Sequence, residues 1–435
     1  MTVLDETRML SGLTDEVDQY LLLLRDLVWR VLEGAEDHAG LKKRLGSLLL
    51  QRYPSDIQLP HAYLALLTHL LKFEPLAIES QQMPNGATCL DALGFIKGGQ
   101  LPEPAQLAEL ASLWMILGVH LKKEALIYAG LKAALWQTHT LDHRGLPHFS
   151  LWSRASTFRP STLSSSNHLL FTLAYRLTSD PGFNLAAQIQ KHYGWDPVSL
   201  PGKLLTLIPE KLSTPLKLSF KPFAEEMTVG LMKFMTPQSS MACSLSGWNS
   251  GVFSYHKNHA AIVNAGPQLA PLDDLEKFGI DRTCSLTSRT FNEITWEKTA
   301  FDFRMKGWTK IFAHPAWMQI EAYYEAQKLK LSCRLQEDRP HDGLAMVFYA
   351  KGDQLVIGGK ETLQAGSLER YKGKAVPLEL RAEDEKIFIE PLTESGADQE
   401  MQIIPLAGGE HFWGAHFLIA FPFSEGSDFF KALIR

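Results

Sequence analysis

The spacing of apolar residues changes character near residue 200, and no single layer of secondary structure accommodates both patterns. Upstream, Leu21, Leu22, Leu24, Leu27, Val28 and Val31 recur at three- and four-residue steps, as one face of an amphipathic helix requires. The same period predicts helices over Ala62–Leu71, Ala105–Leu117, Lys123–Thr138, Leu163–Leu177 and Phe183–His192, punctuated by Pro84-Asn85-Gly86 and Pro181-Gly182. Downstream the runs are short, alternating or β-branched, among them Leu216–Phe220, Thr228–Phe234, Val252–His256, Ala260–Asn264, Met318–Tyr324, Lys328–Leu335, Leu344–Ala350, Val376–Leu380, Lys386–Ile389 and Phe412–Phe421. Such runs read as antiparallel strands stacked in a sandwich. Between the two regimes, Ser199–Pro215 carries three prolines and a glycine without a long periodic run, and reads as a linker.

The predicted architecture is therefore α+β and multidomain. An α-helical domain over 1–205, built of helical hairpins closing into a full or partial α/α toroid, precedes an antiparallel β-sandwich domain over 206–435. A chain of 435 residues is long enough for two such cores. Its net charge of -5, with basic residues dispersed among acidic ones, argues against a nucleic-acid surface. Cys89, Cys243, Cys284 and Cys333 are far apart and unpaired by motif, which fits a reducing compartment rather than a disulfide framework. The acidic N-terminus reads as lacking a cleavable leader, and no segment approaches the roughly 18 to 20 apolar residues that span a bilayer. The expectation is a cytoplasmic protein with no membrane partner, the alternative being export by a route that leaves no cleavable signal.

The densest cluster of polar and aromatic residues lies where one helical segment ends and the next begins. Trp136, His139, His143, Arg144, His148, Trp152 and Arg154 all fall within it. Loops at helix ends are where a helical scaffold presents ligand-binding groups. Tryptophan faces suit pyranose rings, and arginines suit uronic carboxylates. The same stretch also reads as a hydrogen-bonded interhelical loop whose tryptophans serve the core. Trp248, Asn249 and His256 extend the candidate glycan-binding set into the second half. Tyr255 and His256, adjacent on a strand, face opposite sides, so only one of them can look toward a cleft beside the helical domain, and Tyr255 is the better acid. No carboxylate follows His256 and His259 at ligand spacing, and neither a phosphate loop nor GxGxxG is present, so no metal or cofactor is expected. Asp273-Asp274 reads as a cap or loop, and no GxSxG elbow supports a serine hydrolase.

Ser161–His168 enters an apolar helix, where its hydroxyls could simply cap the first turn. Its last two residues, Asn167-His168, resemble the end of the Asn-Asn-His motif of polysaccharide lyases of the heparinase II/III-like and alginate lyase-like kinds. Ser250–His256 resembles the first long strand of the sandwich in those enzymes, and the order of helices before sandwich is similar too. The resemblance implies β-elimination on a glycan, possibly containing uronate, in a cleft between the domains. Asn167 would neutralise the uronate carboxylate, His168 would be a base candidate, Tyr255 the acid, and Arg154 would converge on them. Ser246–Gly251 stands where those enzymes usually carry a histidine-rich stretch. The alternative is therefore a catalytically inactive relative that binds glycan or serves as a protein interaction module.

Overall fold

A computed structural model of the chain describes residues 19–34, 37–49, 58–72, 104–146, 148, 160–210, 231–244, 252–269, 287–299, 302–311, 317–325, 328–335, 344–392, 399–406, 412–423 and 429–435. The chain divides into two compact units: 1–94, 104–139 and 161–223 form one, while 95–103, 140–160 and 224–435 form the other. Helices come first and an antiparallel sandwich follows, the α+β order expected from the change of period. The second unit takes in residues 140–160 as well, so part of the polar cluster in the sequence belongs with the strands.

In the helical unit, a helix over 19–32 is followed by His38–Leu49, Gln58–Leu70, Pro104–His120, Glu124–His139, Pro160–Thr178, Pro181–His192 and the short Leu200–Leu205. Pro104–His120 and Glu124–His139 form a hairpin whose close approach depends on small residues. A Cβ added at Gly118 would meet Ile127 Cγ1 at 2.5 Å, and one at Gly130 would meet Met115 Cγ at 2.4 Å. Arg25 and Tyr63 both hydrogen-bond to Glu109, tying three helices together around one carboxylate. The Ser199–Pro215 stretch, read as a linker, begins as helix instead. Pro201 falls in the first turn, where its missing N–H costs nothing, and Leu204 and Ile208 are buried. Arg176 Nη1 donates to the carbonyls of Leu205 and Ile208 at 2.8 and 2.6 Å, which fastens this end of the unit to the Pro160–Thr178 helix. No described helix is long and apolar enough to cross a membrane.

The second unit contains seventeen described strands in two antiparallel sheets. β1 to β4 are Leu231–Met235, Ser239–Ser244, Phe253–Lys257 and Ala260–Leu269; β5 to β8 are Thr287–Lys298, Asp302–Ile311, Trp317–Glu325 and Lys328–Leu335. β9 to β12 are Leu344–Lys351, Gln354–Ile357, Glu361–Gln364 and Tyr371–Lys374. β13 to β17 are Leu378–Ala382, Glu385–Pro391, Glu400–Pro405, Phe417–Pro422 and Phe429–Ile434. One sheet runs β1-β2-β3-β4-β9-β16-β15-β12, the other β11-β10-β13-β14-β17-β8-β7-β6-β5.

Alternation places the core between the sheets. On β8, Leu329, Leu331, Cys333 and Leu335 are buried while Lys328, Lys330 and Arg334 are exposed. Those buried residues join Phe253, Ile262, Phe348 and Phe421 of the other sheet in one apolar cluster. β9 is buried along nearly its whole length, as its unbroken apolar run suggests for a central strand. The strand expected from Phe412 starts only at Phe417. Phe412 and Trp413 adopt φ of 45° and 56°, which breaks the extended backbone into a tight turn, and both rings pack on Tyr349 of β9. Cys243 and Cys333 are buried free thiols. Leu216–Phe220, Cys89, Cys284 and Asp273-Asp274 lie outside the described residues.

Phe348 sits at the centre of this core, fully buried and within 6.0 Å of the Phe253, Phe421 and Phe430 ring centroids. Phe348→Ala is expected to cost about 3–5 kcal/mol in urea denaturation, since the cluster cannot collapse into the space left behind. A loss below about 1 kcal/mol would mean that the two sheets do not share this core.

Candidate functional site

Within the second unit, a buried polar cluster forms where residues 140–146 and 148 lie on β2 and β3. The segment is a tight turn. Asp142 N donates to Leu146 O, Gly145 N to Asp142 O, and His148 N to Thr140 O. Gly145 takes φ 78°, a conformation that glycine adopts without steric cost. Asp142 organises the turn from inside. Its Oδ1 accepts the backbone N–H groups of Arg144 and Leu146, each at 2.8 Å. Its Oδ2 accepts from Arg144 Nη2 at 2.9 Å and from His256 Nδ1 at 3.1 Å.

The pleat of β3 determines what the turn meets. Phe253 and Tyr255 point into the apolar cluster between the sheets, so Ser254 and His256 occupy the opposite face. There His148 lies between two serines, with Nδ1 2.7 Å from Ser254 Oγ and Nε2 2.7 Å from Ser240 Oγ. The His148 and His256 rings are 3.9 Å apart and tilted by 35°. His143 reaches Ser240 Oγ at 3.3 Å and Asn258 Oδ1 at 3.2 Å, and Lys233 Nζ donates to the Leu141 carbonyl. Asn258, with φ 47°, occupies the two-residue turn between β3 and β4, and its amide donates to Glu385. His259, next to it, pairs with Glu383 at 3.1 Å instead of joining His256. Among the described residues no three His, Cys, Asp or Glu side chains converge as metal ligands.

Electrostatics follow from burial. It depresses both imidazoles, and the charge of His256 adds to it at His148 and those of Arg144 and His143 at His256, so His148 falls well below the ordinary histidine value and His256 falls below it too. Burial alone would raise the Asp142 carboxyl. The hydrogen bond from His256 and the charge of Arg144, with the two backbone donors, outweigh it and hold Asp142 below the usual carboxylate range. The cluster is thus an ionised Asp–Arg pair beside two neutral histidines. Donation from His256 Nδ1 to Asp142 leaves Nε2 as the lone-pair nitrogen, and this atom is buried without a hydrogen-bond partner.

The other proposed catalytic residues are placed differently. Asn167 and His168 are successive residues of the Pro160–Thr178 helix, so their side chains leave it about 100° apart. Asn167, fully buried, accepts from Gln137 Nε2 at 3.1 Å, and its own Nδ2 has no partner. His168 turns to the Pro181–His192 helix, where its Nδ1 donates to Ala187 O at 2.7 Å and its ring meets the edge of Trp195. Burial, followed by the charges of Lys191 and Arg176, lowers its pKa. Asn167, expected as the neutraliser, and His168, expected as a base candidate, thus leave the helix toward different neighbours, Gln137 and the Pro181–His192 helix. Tyr255, expected as the acid, is 2% exposed in the sandwich core, and burial with Tyr324 beside it pushes its hydroxyl up to about 12.

Of the expected glycan-binding set, His143 and Arg144 are half-buried and engaged with Asn258, Ser240 and Asp142, while His148 and His256 are buried. Trp136 is buried in the helical unit. Arg154, Trp152, Trp248 and Asn249 lie outside the described residues, as does the His139 side chain. Sequence reading missed Asp142, Ser240, Ser254 and Gln137. Asp142-His143-Arg144-Gly145 did carry a signal, since an aspartate just ahead of a glycine marks a turn closed by the aspartate's own side chain.

Unfolding returns His148 and His256 to ordinary pKa values, so the unfolded chain takes up protons that the folded one does not. Stability should therefore be fully present above about pH 6.5 and fall as the pH drops below it, each histidine adding at most about 1.4 kcal/mol per pH unit. Urea titrations between pH 7.5 and 5.5 should show this slope, and it should flatten in the His148→Gln/His256→Gln variant. Asp142→Ala should cost about 3 kcal/mol or more, because it strands Arg144 and two backbone donors, and should expose residues 140–148 to protease.

No protein-family model matches the sequence, and no curated protein matches it either. Among solved structures, the chain is similar to a heparinase III with 7% identity, covering 91% of this chain and 62% of that one at a TM-score of 0.49. It is similar to the heparan sulfate lyase HepC from Pedobacter heparinus with 10% identity, covering 96% of this chain and 75% of that one at a TM-score of 0.36. A chondroitinase AC lyase matches with 9% identity over 96% of this chain and 75% of that one, also at 0.36. The chain thus spans less than two thirds of the heparinase III.

Proposed function

We propose that the chain is a polysaccharide lyase-like protein that binds a uronate-containing glycan through Asn167 and does not carry out β-elimination with Asn167, His168, Tyr255 and Arg154. One observation carries the reading. Gln137 fixes the Asn167 amide so that its Nδ2 is a buried donor without a partner. Such a group is costly to leave empty, and a carboxylate is the ligand that would use it best. The resemblance of Asn167-His168 to the lyase motif supports the same ligand class. Against elimination, Tyr255 is enclosed in the sandwich core, and burial pushes its hydroxyl up to about 12, away from what suits a general acid. A base and an acid must reach the same sugar, and Tyr255 is enclosed between the sheets. Asn167 is itself fully buried, so a carboxylate reaches its Nδ2 only when the helices packed on it open.

A second reading rests on Asp142 and His256. An imidazole that is neutral, oriented by a carboxylate and open at Nε2 has the form of a general base, and motion of residues 140–148 would be needed to admit a substrate.

The test is absorbance near 235 nm, where an unsaturated uronate would absorb, during incubation with alginate, heparan sulfate, chondroitin and pectate, alongside calorimetric binding to the same panel. The expected result is a flat trace with binding to at least one uronate polymer that Asn167→Ala weakens at least tenfold, the loss of one charge-assisted donor. A rise that is lost in His256→Ala but kept in Asn167→Ala would establish the second reading instead.

A further inference from the structure

Outward-pointing residues of β5, β6, β7, β8 and β17 line a groove of about 940 Å³ on the solvent face of the nine-stranded sheet. The chain as a whole carries a net charge of -5, yet the lining of this groove is basic, with Asp302 and Glu325 flanking it at one end. Arg304, Lys306, Lys330, Arg334 and Lys431 contribute five cations, against the two carboxylates of Glu297 and Glu321. Lys306 and Glu321 are paired at 3.0 Å, which leaves four cations facing one carboxylate, Glu297. Strand register sets the pattern. Arg304 lies opposite Tyr323, Tyr323 opposite Lys330, and Arg334 opposite Phe429, so cations and rings alternate across neighbouring strands.

The two rings are held beside cations, Lys330 Nζ lying 5.9 Å from the Tyr323 centroid and the Arg334 guanidinium 5.0 Å from that of Phe429. Lys330 and Arg334 are four positions apart on β8, roughly 13 Å along the strand, so the groove is longer than one sugar ring. Because the charged and aromatic lining residues are the outward half of alternating strands, with only Met305, Ala322 and Leu331 of the lining belonging to the core, none of these charges is needed to complete the core. We propose that this face binds an acidic polysaccharide chain, its carboxylates or sulfates meeting the cations and its C–H surfaces resting on Tyr323 and Phe429. Charge complementarity commits the face to a polyanion, the interleaved rings offer flat surfaces to its C–H faces, and the glycan reading above selects a sugar polymer among polyanions. The proposal takes its ligand class from the glycan reading above but places the contact on residues that reading does not use.

Affinity electrophoresis in native gels containing alginate or heparan sulfate tests it. Lys330→Glu/Arg334→Glu and Arg304→Gln/Lys431→Gln should each weaken retardation at least tenfold while leaving Tm near wild type, as exposed substitutions do. Lys360→Glu, a charge reversal on an exposed turn outside the groove, should bind as wild type. Tyr323→Ala should weaken glycan retardation more than retardation by polyphosphate. Groove variants that bind like wild type would overturn this proposal and leave the Asn167 reading standing. Loss in the groove variants with full binding by Asn167→Ala would do the reverse. No retardation of the wild type by either glycan would overturn both, and wild-type binding to single-stranded RNA or polyphosphate as tight as to glycan would overturn the choice of a sugar ligand.

Discussion

On β3, the side-chain alternation that builds the core between the two sheets also sorts the chemistry. Phe253 and Tyr255 must go inward because the space between the sheets is apolar, and Ser254 and His256 are then left on the other face. That face would be a row of half-satisfied polar groups if nothing covered it. Residues 140–148 cover it, bringing His148 to the two serines and Asp142 to His256. A one-residue shift of β3 would reverse every one of these assignments, which is why the register with β2 and β4 matters more here than any single hydrogen bond.

The polar cluster is consequently costly to build and costly to disturb. Two neutral imidazoles in contact, a carboxylate and a guanidinium are removed from water together, and the arrangement is stable because most donors and acceptors are matched. Arg144 and the backbone amides of the turn hold Asp142 ionised, Asp142 fixes the His256 tautomer, and the serines adapt to whichever tautomer His148 adopts. One nitrogen, His256 Nε2, remains unmatched. The opposite surface of the sandwich behaves differently. On β6, β7, β8 and β17 the outward residues are exposed or half-buried, and their charges face solvent, Lys306 and Glu321 as a surface pair. One face of the unit is spent on anchoring a loop and the other is open to solvent, a division that follows from where residues 140–148 attach.

Much of the fold was legible because the period of the pattern is a local property. Lys328–Leu335 reads as a strand residue by residue, and its ends match those observed. The helices over 104–139 and 160–192 are similarly plain. Gln354–Ile357 and Glu361–Gln364 were missed, having too few residues to show a period, and so were the long Thr287–Lys298 and Asp302–Ile311, although Phe303 and Met305 alternate with Arg304 and Lys306. The site was far less legible. Partners such as His148 and Ser254 are 106 residues apart, and nothing local to either announces the other. The density of aromatic and basic residues over 136–154 suggested a groove, whereas Trp136, Asp142 and His148 are there to be buried. The divergence of Asn167 and His168, in contrast, could have been read from helical geometry alone, since successive residues on a helix never share a face.

The most direct test of the claim that this histidine cluster clamps the loop and does not act on substrate is side-chain NMR of selectively 15N-labelled histidines, titrated from pH 8 to 5 with and without alginate. If the account is right, His256 carries its proton on Nδ1, His148 and His256 stay neutral through pH 6.5, and neither signal moves when alginate is added. A His256 imidazole that titrates at or above the ordinary value, or whose shift changes with alginate, would contradict it and make the cluster a working site.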